Sequence, residues 1–193
     1  MNKHRNILDE LKKNYGNEPK LQWLNSFQKL FIKLWKEKKE KYQRVLPFGD
    51  YFIDRWEKAV ELGFGEGSSI YDNVLVLGDV SVGKNCWIGP NVILDGSGNL
   101  KIGDFVSISA GVQIYSHDSI GWALSGGKDE YEYAPTIIGS NVYIGPNVII
   151  QKGVTIGNKV IIGANSFVNR NIPDNSKAYG TPIKIVSQNF NEY

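Results

Sequence analysis

The sequence predicts a mainly β chain: a parallel β-helix with one protruding loop, preceded by an α-helical segment. Three observations predict it. From Ser68 onward, apolar residues recur at every sixth position. That register survives an interruption in the middle of the repeat. Residues 1–62 follow a different rule, with apolar residues at helical spacing and most of the chain's positive charge.

The helical segment comes first. A short helix is expected near Ile7–Tyr15. The stretch "LQWLNSFQKLFIKLWKEKKEKYQR" then places Leu24, Phe27, Leu30, Phe31, Leu34 and Trp35 on one helical stripe. "GDYFIDRWEKAVELG" reads as a further helix, with Asp50 as its cap and Gly63 as its stop. Residues 1–62 hold fourteen Lys/Arg against nine Asp/Glu, and residues 63–193 hold eight against eleven. This reversal puts a boundary near Gly63. The expected organisation is a helical segment over 1–62, a β-helix over 63–186 with its loop at 118–135, and a tail over 187–193. Covering the open end of the β-helix is the expected role of the helices. The Trp/Lys-rich helix also suits an anionic membrane surface, an association the reading does not favour. "GFGEGSS" lacks the Lys-Ser/Thr ending of a phosphate loop and is read as the hinge into the first coil.

The repeat runs through Ile70, Val76, Val82, Ile88 and Leu94, slips by two residues at "DGSGN", and continues with Ile102, Ile108 and Ile114. After the break it resumes in register at Ile138, Ile144, Ile150, Ile156, Ile162 and Val168. Glycine often follows the apolar residue, and a small or β-branched residue stands two before it. Such a six-residue rhythm describes a β-helix whose coils each use three hexads, with glycine relieving the corners. Four to five coils at roughly 4.8 Å each give a prism about 20–25 Å tall. Periodicity leaves the handedness open, and the general crossover rule favours a right-handed turn.

The hexads "VSVGKNCWIGPN" and "VYIGPNVIIQKGVTIGNKVIIGAN" resemble those of the hexapeptide-repeat acyltransferases. The ending "VIIGANSFVNRNIPDNSKAYGTPIKIV" is similar to that family's closing segment, and "GVQIYSH" to the catalytic segment of its galactoside and maltose acetyltransferases. The resemblance spans Ser68 to Val186. It implies a left-handed β-helix, acetyl-CoA as co-substrate, a homotrimer with sites between prisms, and His117 as the catalytic base. By motif position it assigns Tyr143, Gly145, Ala164, Arg170 and Lys184 to the cofactor. Two departures stand out. Pro146 replaces a cofactor-binding serine of the galactoside enzymes, and Gly89 replaces an acceptor-binding asparagine.

The chemistry of His117 fits that role, since an imidazole titrates near neutrality and suits proton removal from an attacking hydroxyl or amine. His117 sits where the repeat breaks off into "DSIGWALSGGKDEYEYAPT". The bland alternative is a surface histidine at the start of a loop. On the acceptor side the candidates are Asp95, Tyr115, Asp118 and Trp122. Asp95 is expected two or three coils from His117, either orienting an acceptor group across a subunit interface or serving as a plain turn aspartate. Lys152 and Lys159 read as ordinary surface lysines. Cys86 reads as core.

Several classes are excluded. One cysteine allows no internal disulfide, and no stretch resembles a signal peptide or a membrane span. A cytoplasmic location is expected. No metal site is expected, because a zinc-dependent β-helical carbonic anhydrase needs three histidines and the prism has one. No nucleic-acid partner is expected. The function expected is acetyl transfer from acetyl-CoA to a sugar or nucleotide-sugar hydroxyl or amine, in cell-surface glycan biosynthesis. The alternative is a non-catalytic β-helix scaffold.

Overall fold

The computed structural model describes residues 10, 11, 13, 14 and 19–188. The helix expected near 7–15 lies largely outside the described residues, as does most of the tail. The chain forms two compact units, Met1–Tyr51 and Phe52–Tyr193.

In the first unit, α1 (Pro19–Tyr42) carries the apolar stripe. Phe31 packs edge-on against Tyr51, in the short 3-10 turn Phe48–Tyr51. The second unit begins eleven residues earlier than the charge reversal suggests, because α2 (Arg55–Glu61) packs on the first strand of the β-helix. Ala59 is buried in the prism's core cluster, and Lys58 donates to the carbonyls of Tyr71 and Asp72. The cap of α2 is Asp54 rather than Asp50. Asp54 accepts from the Trp56 amide while the Glu57 carboxylate accepts from the Asp54 amide, a reciprocal capping box.

The prism has three faces and about six turns. Face one stacks β1 (Ser69–Ile70), β3 (Trp87–Ile88), β5 (Ser107–Ile108), β10 (Tyr143–Ile144), β13 (Ile161–Ile162) and β15 (Ser176–Tyr179) in parallel. It is closed by the antiparallel β16 (Lys184–Gln188). Two longer strands, β2 (Leu75–Val82) and β4 (Ile93–Ile102), turn a corner and serve both other faces. The first part of β4 pairs with β6 (Gln113–Ile114), which continues to β11 (Ile149–Ile150) and β14 (Phe167–Val168) on face two. Its last part pairs with β9 (Thr136–Ile138), which continues to β12 (Thr155–Ile156) on face three. Ile172 extends face three through a bridge to Ile156, after a shortened final hexad.

The predicted inward residues form the core. Ile88, Leu94, Ile108, Ile114, Ile138, Ile144, Ile150, Ile156 and Ile162 are all buried, and Val92, Val112, Val142, Val148 and Val160 fill the gaps between them. Each fully buried branched side chain contributes about 1.5–3 kcal/mol. Cys86 occupies one of the small positions, and burial pushes its thiol pKa up. At the corners the roles differ from expectation. Asparagines, not the repeat glycines, take the left-handed backbone: Asn85, Asn91, Asn141, Asn147, Asn165 and Asn175 have φ between 54° and 61°. The repeat glycines answer to stacking instead. A Cβ on Gly145 would lie 2.6 Å from the Ala164 amide nitrogen on the next coil.

Candidate active site

The two-residue slip and the loop converge beneath His117. Leu94 and Ile114 are register partners on consecutive coils, so Asp95 and the Tyr115–His117 segment leave face two at the same corner. Asp95 therefore lies one coil from His117 in the same chain, not two or three. Its Oδ2 is 2.6 Å from His117 Nδ1. The Ser116 amide donates to the same oxygen at 2.9 Å, and the Ser97 amide donates to Oδ1 at 3.0 Å. The residue has no exposed surface.

Burial alone would raise the Asp95 pKa. Hydrogen bonds from the Ser97 side chain, the Ser116 and Ser97 amides and His117 outweigh it and bring the value down to about 2. An ionised carboxylate only accepts, so the neutral imidazole must carry its proton on Nδ1 and keep its lone pair on Nε2. The His117 side chain is 29% exposed, which leaves its ring within reach of a ligand.

A polar knot holds this pair in place. Gly98 donates its amide to Ser116 Oγ, and Ala134 donates to the Ser116 carbonyl. Thr136, fully buried, donates Oγ1 to the Tyr115 carbonyl and accepts from the Gly153 amide. A Cβ on Gly98 would come within 2.3 Å of the Ser116 carbonyl oxygen, so the slip needs glycine there for close approach. The loop itself opens as an antiparallel ribbon of β7 (His117–Asp118) and β8 (Glu132–Tyr133) with a single helical turn, α3 (Ile120–Leu124), at its start. Tyr131 and Tyr133 stack near-parallel to the imidazole, at 6.3 and 5.9 Å between centroids, and Trp122 meets Tyr131 edge-on.

A cleft of about 400 Å³ opens beside His117, lined also by Tyr115, Asp118, Ser119, Ile120, Ile149, Gln151, Lys152 and Phe167. Of the predicted acceptor residues, Tyr115 and Asp118 line it. Asp95 faces the imidazole and is not among the residues that line the cleft. Trp122 lies on the loop, off the cleft lining. Asp118 is already engaged: Oδ2 pairs with Lys152 at 2.9 Å and Oδ1 accepts from the Ile120 amide. Lys152, foremost through hydrogen bonding, holds the Asp118 carboxyl below its ordinary pKa, while Glu132 and then Asp118 raise that of Lys152. Lys152 is thus an inward-turned ion-pair partner, not an ordinary surface lysine.

The predicted cofactor residues lie elsewhere on the prism. Tyr143 is on face one, and Gly145 and Ala164 stack at the corner that follows it, whereas His117 is at the corner after face two. Arg170 and Lys184 are exposed on the last turns. Among the described residues, no group of three or more His, Cys, Asp or Glu side chains is placed to hold a metal ion.

A three-sided parallel β-helix built from six-residue repeats is the architecture of the hexapeptide-repeat transferases. Known proteins agree. Residues 79–116 match the family "hexapeptide repeat of succinyl-transferase", and residues 135–170 match "bacterial transferase hexapeptide (six repeats)", so the two matches flank the loop. The galactoside O-acetyltransferase of Lactococcus lactis is 30% identical over 177 residues, 83% of this chain and 84% of that one. The galactoside O-acetyltransferase of Escherichia coli is 30% identical over 56% of this chain and 63% of its own. The N-acyltransferase AntD of Bacillus cereus, solved with dTDP and 3-hydroxybutyryl-CoA, superposes with a TM-score of 0.59. It is 24% identical, over 65% of this chain and 71% of AntD. The chain belongs to the hexapeptide-repeat acetyltransferase family, whose β-helix is left-handed. It spans between half and just under two thirds of the length of the first curated relatives it matches.

Proposed function

We propose that this protein transfers an acetyl group from acetyl-CoA to a hydroxyl, or an amine, of a sugar or nucleotide-linked sugar, with His117 as general base. The observation that carries this is the 2.6 Å contact between His117 Nδ1 and the buried, ionised Asp95. It fixes the tautomer and turns a basic Nε2 outward. Nε2 takes the proton of the acceptor hydroxyl as its oxygen attacks the thioester carbonyl. Asp95 stabilises the imidazolium so formed, and the proton then passes to the departing sulfur. The thioester of the bound co-substrate supplies the acyl group.

The residues present fit that co-substrate. Gly145 and Ala164 themselves bring nothing larger than a methyl to this corner, Tyr143 stands half-exposed beside it, and Arg170 and Lys184 offer charge to phosphates. This corner and the His117 cleft occupy different corners of one prism, an arrangement that favours pairing them across the subunit interfaces of the homotrimer the family resemblance implies. The named activities of the Lactococcus, Escherichia and Bacillus proteins support acyl transfer to a sugar-type acceptor. On this reading the protein works in the cytoplasm, where acetyl-CoA is made, on glycan precursors. No helix among the described residues is long and apolar enough to cross a membrane.

The test is calorimetric titration with acetyl-CoA, followed by thiol release across a panel of sugars and nucleotide sugars, with His117→Ala as control. Binding by both proteins, with turnover only in the parent, is the expected result. Absence of binding at millimolar acetyl-CoA would leave a scaffold with an acetyltransferase shape.

A further inference from the structure

The β7–β8 ribbon contains an unfavourable pairing. Asp118 and Glu132 are direct register partners, and like charges directly opposite each other destabilise a strand pair. The neighbouring pair along the same ribbon is His117 with Tyr133. Whatever parts the first pair therefore acts on the second.

Lys152 enters between the two carboxylates. It follows β11, on the coil next to that of β6, and its Nζ lies 2.9 Å from Asp118 Oδ2 while also bonding Glu132 Oε2. Its side chain is only 13% exposed. One ammonium group thus neutralises both strands of the ribbon and ties them to the coil that supports them. The tie is anchored on each side: Ile120 holds the other oxygen of Asp118, and the Gly153 amide next to Lys152 donates to buried Thr136.

We propose that Lys152 is a positioning residue for acetyl transfer: it closes the Asp118–Glu132 pair and thereby keeps His117 at the angle that its Asp95 partner and the cleft require. This rests on the reading of His117 as the base. Lys152 itself needs no contact with either substrate. Its removal leaves two opposed carboxylates, the ribbon opens, and the imidazole loses its stacking with Tyr133 while the prism stays folded.

The experiment compares the parent, Lys152→Met, and the double variant Lys152→Met/Glu132→Gln, which removes the opposed charge and leaves cleft-lining Asp118 in place. For Lys152→Met, kcat should fall roughly ten- to a hundred-fold, the cost of a misplaced catalytic group. KM for acetyl-CoA and the melting temperature should stay close to the parent's. Amide hydrogen exchange across residues 117–134 should quicken. In the double variant the repulsion is gone, so most of kcat and of the slow exchange should return. A lysine of merely general structural use predicts no such rescue. The proposal is overturned if Lys152→Met leaves loop exchange unchanged, whatever its kcat, or if the double variant is as impaired as the single one. Should the parent itself transfer no acetyl group, the functional reading falls and the catalytic part of the proposal with it, while hydrogen exchange still decides whether Lys152 closes the Asp118–Glu132 pair.

Discussion

The imidazole of His117 and the carboxylate of Asp95 meet across a single coil boundary, although twenty-one residues of chain lie between them. The contact depends on the slip that lets Asp95 turn inward and on the Ser116 amide that shares its Oδ2.

Replacing Asp95 by Asn keeps the shape and removes the charge. The amide can offer a proton to Nδ1, which allows the wrong tautomer, with the lone pair turned away from the cleft. We expect kcat to fall roughly 10²- to 10⁴-fold. Acetyl-CoA affinity should be unchanged by calorimetry.

Asp95 also ties stability to pH. Its folded pKa, about 2, is below its ordinary value of 3.8, so the unfolded chain binds more protons in this interval. The contribution is therefore fully present above about pH 4 and disappears as pH falls toward 2. Urea midpoints measured across that window should drop more steeply for the parent than for Asp95→Asn. Parallel curves would remove Asp95 from the acid response.

Gly98→Ala tests the knot under the histidine. The added methyl would stand 2.3 Å from the Ser116 carbonyl oxygen, which is backbone and cannot swing aside. Activity should fall at least tenfold, by displacement of Ser116 and its neighbour. Melting should shift downward, in contrast to the near-parent melting expected of Lys152→Met.

Phe105 has φ 56° at a corner where the adjacent coils place Asn85 and Asn141, and it is 59% exposed. A bulky side chain in the left-handed region costs about 1–2 kcal/mol. Phe105→Asn should recover part of that cost and raise the melting temperature of the isolated chain. A fall instead would mean that the aromatic ring is held by contacts that outweigh its strain.

Much of the fold is legible in the sequence because one period governs it: a residue six positions from Ile144 is buried for the same reason as Ile144. The N-terminal boundary is less so, since charge reversal at Gly63 does not reveal that Ala59 packs into the prism. Asp54 is recognisable as a cap by its spacing from Glu57, a stronger signal than the position of Asp50. His117 stands out because it interrupts the repeat. Asp95 is harder, because its partner depends on coil stacking; counting three hexads and the slip as one coil places Leu94 under Ile114 and so finds it. Lys152 carries no sequence signal at all. Its role exists only where the ribbon brings Asp118 and Glu132 together.

The excursion leaves from Ser116 and returns at Ala134, and a hydrogen bond between those two residues closes the neck. The prism below continues from Ile114 to Ile138 as though nothing had intervened. Loop and prism can therefore diverge at different rates: sequence drift between 118 and 133 alters the wall of the cleft beside His117, where the proposed function seats the acceptor, without altering the strand register. Exchanging this segment between family members, with the neck retained, is a route to transplanting acceptor preference onto an unchanged chassis.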